Sequence, residues 1–166
     1  MWYTAHEKQG LFSLKKKEDG KMKDKDRFKF ASISGRYLRD PRILRMKDYI
    51  QHGNTTTYDH VFRVASTAYR LNHMLHLHVD DEKLVEASVL HDYYLYDWHS
   101  HGDHAHGFHH PYIAEQNAVQ DFHIDSDVAS MIRTHMWPLN ILDIPRSRGA
   151  WILTCADKIS AIREMA

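Results

Sequence analysis

The chain has 166 residues, enough for one domain that buries a core without staples. With 43% hydrophobic residues it is not disordered in composition, and 22 basic against 22 acidic residues leave a formal net charge of +0. Bulk charge therefore gives no argument for a nucleic-acid or membrane partner, and one cysteine, Cys155, rules out a disulfide within the chain. No apolar run reaches membrane-spanning length, and the N-terminus reads as lacking a secretory signal, so a reducing, cytoplasmic setting is expected. Fifteen histidines are the anomaly, since histidine is the commonest metal ligand.

Residues 1–30 read as a flexible charged N-terminal extension, and 31–166 as the folded domain. Leu14 to Lys29 holds eight basic and four acidic residues, with Gly20 between them and no apolar period. Asp40-Pro41 has the form of a helix cap followed by a first-turn proline. Ile43, Leu44, Met46, Tyr49 and Ile50 extend a helical stripe that Gly53 stops. A second helix, capped by Asn54 or Thr55, carries Val61, Val64, Ala65, Ala68, Leu71 and Leu75 and runs to about Leu77. A third begins at Asp80, Asp81 and Glu82, where the helix dipole favours acids, and delivers His91-Asp92 at its end. Two shorter helices follow, about Pro111–Phe122 and Ser126–His135. A last helix runs from about Arg148, with Ile152, Leu153, Ala156, Ile159 and Ile162 on one face and Cys155 in the core. No sustained period-2 alternation demands a sheet, so the fold class is all-α.

Residues 97–110 form a low-complexity loop containing His99, His101, His104, His106, His109 and His110. Such a tract binds metals non-specifically, and most of these histidines are decoys on that reading. The informative ones lie in core helices: His60, His91-Asp92, His110 before Pro111, His135, and Asp157. Burying several ionisable groups in a helical core is costly unless they are paired or hold a metal. Imidazole and carboxylate together suit Fe, Mn, Co and Zn. A carboxylate has two oxygens and can bridge two ions, which suits Asp92.

In that order on helices, with His-Val-Phe-Arg-Val-Ala, Leu-His-Asp-Tyr, His-Pro and Ala-Asp-Lys around them, these residues resemble the HD-domain superfamily over about residues 40–166. The resemblance implies a central metal site in an all-α domain, with His60, His91, Asp92 and Asp157 as core ligands. It implies His110 and His135 as the pair that completes a binuclear site, with His109 and His123 as weaker competitors. One or two divalent ions are expected, with Fe slightly favoured among Fe, Mn, Co and Zn.

Most HD proteins are phosphohydrolases, so the resemblance implies a small phosphate-containing substrate such as a nucleotide, with Asp92 and His91 at the catalytic centre. Arg63, Lys158 and Arg133 are the candidates for phosphate contact, and Asp59 or Asp97 for orienting a ligand histidine. One departure is the aromatic run Tyr93-Tyr94-Leu95-Tyr96-Asp97-Trp98, where many HD hydrolases carry a lysine. Half or more of its aromatics are expected in the core. The alternatives are a di-iron oxygenase with the same six ligands and a non-catalytic metal- or nucleotide-binding domain.

Overall fold

The computed structural model describes residues 23–98 and 105–166. Its secondary structure is helical apart from one short hairpin. In chain order the described elements are α1 (Asp24–Leu38), α2 (Pro41–Leu44), a 3-10 turn (Arg45–Asp48), β1 (Ile50–His52), β2 (Thr55–Thr56), α3 (Thr57–Met74), α4 (Asp81–Leu90), α5 (His106–Phe122), α6 (Ser126–Thr134) and α7 (Arg148–Met165).

Helix α3 lies at the centre and packs chiefly against α4 and α7, while α6 packs on α5, α4 and α7. Its apolar residues follow the 3.6-residue period: Val61, Val64, Ala65, Ala68 and Tyr69 are all fully buried. Small residues at Ala65, Ala68, Ala87 and Ala156, each without solvent exposure, let the central helices approach closely. The starts are capped as elementary physics requires. Thr56 accepts from the Asp59 amide, Asp80 from Glu82 and Lys83, Asp125 from Asp127 and Val128, and Ser147 from Ala150.

Several sequence expectations about helix bounds and burial differ from the structure. The boundary at residue 30 falls inside α1, which starts at Asp24; Phe30, Ile33 and Leu38 at three- and five-residue steps bury its inner face. The charge of the flanking residues had masked that sparse stripe. Residues 1–22 lie outside the described part. The helix expected from Pro41 to Gly53 ends after one turn. Tyr49 to Thr57 instead forms an antiparallel hairpin, Ile50 opposite Thr56 and His52 opposite Thr55, with Gly53 at φ +54° in the turn. Cys155 is exposed, because it lies one turn after Trp151 on the outer face of α7, and Ile162 (64% exposed) lies on that face too. Helix α5 starts one turn earlier than Pro111, so the proline is internal and His110 sits on an already formed turn.

A candidate metal centre

Three histidines are aimed by a hydrogen bond from Nδ1 to a backbone carbonyl three or four residues earlier, two of them at helix ends. A helix leaves its last carbonyls without intrahelical donors. His91, which follows α4 as its C-cap, turns its ring back so that Nδ1 lies 2.8 Å from the Ser88 carbonyl. His135 does the same at the end of α6, with Nδ1 2.7 Å from the Ile132 carbonyl. His110, inside α5, places Nδ1 2.9 Å from the His106 carbonyl. A carbonyl only accepts, so each Nδ1 carries the proton and each Nε2 presents a lone pair.

Those lone pairs converge on Asp92. His91 Nε2 is 3.4 Å from Asp92 Oδ2, and His60 Nε2 is 3.7 Å from the same oxygen. His110 Nε2 is 3.1 Å and His135 Nε2 3.7 Å from the other oxygen, Oδ1. Asp157 Oδ1 closes the cluster at 3.2 Å from His60 Nε2 and 3.8 Å from His91 Nε2. All six residues are buried; His60 and His91 have no solvent exposure at all. Among the described residues, His60, His91 and Asp157 form one group able to hold an ion, and His91, Asp92 and His135 another.

The donor chemistry fits a divalent cation. His91 Nε2 is buried with no hydrogen-bond partner. His110 Nε2 and His135 Nε2 face each other at 3.0 Å, two lone pairs with Asp92 Oδ1 beside them. An acceptor-only centre of this kind is repulsive in a dry interior and is relieved by a cation. Burial pushes the His91 imidazole down, and it pushes His135 down to about 3, so both rings are neutral at physiological pH. Burial alone would push the Asp92 carboxyl up, yet it lies well below its usual range. Asp157 is depressed too: burial opposes ionisation, while the His60 hydrogen bond and the Lys158 ammonium override it.

His60 is built differently. Its Nδ1 lies 2.8 Å from Glu164 Oε2, and the other Glu164 oxygen takes a 3.0 Å ion pair from Arg63. Burial pushes His60 down, yet the Asp157 and Glu164 carboxylates at its two nitrogens raise it to about 10. Glu164 thus orients His60, as a carboxylate commonly does behind a metal-binding histidine. Sequence reading had given that task to Asp59 or Asp97. Asp59 instead closes a reciprocal cap with Thr56, its carboxylate 2.8 Å from Thr56 Oγ1, and Asp97 is exposed. Glu164 stands seven residues after Asp157, two turns along the same helix face; that spacing was the signal for it.

The three candidate cations differ in position. Lys158 sits on the cluster, its Nζ 2.9 Å from Asp157 Oδ2 and 3.1 Å from the His135 carbonyl. Arg63 is one residue removed, behind His60, through Glu164. Arg133 makes a two-pronged pair with Glu115, at 2.8 and 2.9 Å, on the half-exposed side of α6. The competitors His109 and His123 are exposed, His123 as the left-handed C-cap of α5, whereas His110 and His135 are in the cluster. In the His-rich tract, residues 99–104 are outside the described part. His106 is buried, stacked between Trp98 (ring centroids 4.8 Å) and His110 (4.6 Å), with Tyr96 Oη 2.8 Å from its Nδ1. Tyr93 and Tyr94 are buried, as core packing predicts.

Fold and cluster together define an all-helical protein with a buried His/Asp centre able to hold divalent metal. The model of the HD domain family matches residues 57–162, and the chain belongs to that family, one of metal-dependent phosphohydrolases. No curated protein and no solved structure matches the chain. No helix among the described residues is long and apolar enough to cross a membrane.

Proposed function

We propose that the chain is a metal-dependent phosphohydrolase acting on a nucleotide or another small phosphate ester. The observation that supports it most is the buried centre: three imidazole lone pairs, preset by backbone hydrogen bonds, beside the carboxylates of Asp92 and Asp157. His60, His91, Asp157 and Asp92 Oδ2 would hold one ion. His110, His135 and Asp92 Oδ1 would hold a second, since the two Asp92 oxygens point to opposite halves of the cluster. Bound divalent ions supply an acidified water and offset phosphoryl charge. Iron is slightly favoured over Mn, Co and Zn.

The chain's own part is to orient and to exclude. Asp92 and His91 hold the middle of the centre rigid, because one is fixed by the Ser88 carbonyl and the other by its neighbours. Lys158, 37% exposed at its side chain, brings a positive charge to the rim beside Asp157, where a phosphoryl oxygen would arrive. Arg63 steadies Glu164 and through it His60; Arg133 is the third candidate for phosphate contact.

A di-iron oxygenase is the second reading. It draws on the aromatic run after Asp92 and on the pairing of Lys158, Arg63 and Arg133 with carboxylates that a phosphate would have to displace. A non-catalytic domain would not be expected to keep all six ligand residues. The test is to load metal-free protein with Mn²⁺ or Fe²⁺ and assay phosphate release from nucleotides and simple phosphate esters, with O₂ uptake in parallel. Metal-dependent phosphate release supports the hydrolase. O₂ uptake without it moves the assignment to the oxygenase, and neither, with metal bound, to a binding domain.

A further inference from the structure

Asp92 is the carboxylate that faces both halves of the cluster, one oxygen to each, so whatever fixes its rotation acts on both. A carboxylate turned about its Cβ–Cγ bond would no longer present one oxygen to each half. Its own helix does not prevent this, because Asp92 lies beyond the end of α4. The restraint comes from the hairpin. Gln51, buried on β1, donates from Nε2 to Asp92 Oδ2 at 2.7 Å.

The Gln51 amide is itself locked. Its Oε1 accepts a short hydrogen bond from the Tyr94 hydroxyl, and Thr57 Oγ1 lies 3.3 Å from the same oxygen. With hydroxyls at Oε1, the NH₂ group is the end left to face Asp92, and Asp92, as an ionised carboxylate, can only accept. Burial pushes the Tyr94 phenol up, so it stays a donor. The hairpin, the first turn of α3 and the aromatic run after Asp92 thus meet at one amide.

We infer that Gln51, locked by Tyr94, is a positioning residue that sets the rotation of Asp92 and thereby controls the second metal ion more than the first. The inference rests on the two-ion reading above. The asymmetry follows from the ligand inventory. The His60/His91 half keeps Asp157 when Asp92 swings; the His110/His135 half has Asp92 Oδ1 as its only cluster carboxylate. A freely rotating Asp92 therefore costs the second half a larger share of its ligands.

The test is calorimetric titration of metal-free full-length chain with Mn²⁺, which binds exposed histidines weakly. Wild type, Gln51→Leu and Tyr94→Phe are compared; leucine keeps the volume and removes the donor. Expected are two ions in wild type and, in Gln51→Leu, a first ion nearly unchanged and a second roughly 10- to 100-fold weaker, the usual loss when a group behind a ligand is removed. Tyr94→Phe shifts the second ion in the same direction by less. Two ions with unchanged affinities in Gln51→Leu overturn the inference, and so does equal weakening of both, which general loosening of the fold would give. If Gln51→Leu does not fold, Tyr94→Phe decides by the same asymmetry. Fewer than two ions in wild type refutes the two-ion reading itself and takes the inference with it.

Discussion

Among the described residues, the cluster around Asp92 and the turn between α3 and α4 both gather histidines, and only the first has the makings of a centre. In the cluster around Asp92 the rings are buried, and Nδ1 is fixed by a backbone carbonyl or, at His60, by Glu164. At the turn between α3 and α4, His73, His76 and His78 line an open cleft of about 470 Å³ with Asp80 and Asp81. There the carboxylates are already used: Asp81 pairs with Lys29, Asn72 and His73, and Asp80 caps α4. His76 and His78 are exposed, with ring centroids 6.4 Å apart. Residue type is the same at both sites. What differs is the tether that fixes a tautomer and aims the lone pair, and the burial that makes an unmatched lone pair costly.

The largest effect should separate the two places outright. His91→Ala or Asp92→Ala is expected to weaken Mn²⁺ binding by more than about 100-fold, since each removes a ligand rather than a supporting group. The paired change His76→Ala/His78→Ala should leave it unchanged. Thermal unfolding reads both: added Mn²⁺ raises the Tm of wild type and of the turn variant, but not of the cluster variants. Loss of metal binding in the turn variant would erase the distinction.

Next in size is the tether itself. Glu164→Gln keeps an acceptor near His60 Nδ1 but removes its charge and the Arg63 ion pair. Metal affinity should fall roughly tenfold, less than on removing a ligand. An unchanged affinity would mean that His60 needs no carboxylate behind it.

The members of the cluster were legible because each lies at a helix end or on a core face, where a polar residue among apolar ones is conspicuous. His60 sits among buried residues of α3, and His91 follows the buried stretch of α4 that holds Leu84, Val85, Ala87, Val89 and Leu90. The supporting groups were not. Gln51 reaches Asp92 across 41 residues and Glu164 reaches His60 across 104, and local periodicity carries no information on such contacts. The hairpin that delivers Gln51 was hidden as well, since its strands of three and two residues are too short for alternation to show. Glu164 alone left a trace, in its seven-residue spacing from Asp157.

A smaller effect distinguishes the cations. Lys158→Ala should lower phosphate release, about tenfold in kcat/KM, because its ammonium sits on the cluster rim. Arg133→Ala should change it less than about threefold, since its partner Glu115 already neutralises it on the half-exposed side of α6. The reverse order would move the substrate entrance to the α5–α6 side.

The smallest effect concerns the backbone beneath the two histidine groups. His91 and His135 have φ of −62° and −64°, ordinary helical values, so the cluster stores no strain in these ligands. His76 has φ +51°. It ends α3 in the position that usually belongs to glycine: its amide reaches the His73 carbonyl at 3.4 Å, and the next amide, of Leu77, reaches Asn72 at 3.0 Å. A side chain in left-handed backbone costs about 1–2 kcal/mol. Glycine removes that cost and gives back about 0.5–1 kcal/mol through the greater freedom of the unfolded chain. His76→Gly should therefore stabilise the protein by about 0.5 kcal/mol, roughly 1–2 °C in Tm for a chain of this size. Mn²⁺ binding should not move. A variant that loses stability would show that the His76 side chain makes a contact worth more than its strain, and the turn would then be more than a helix stop.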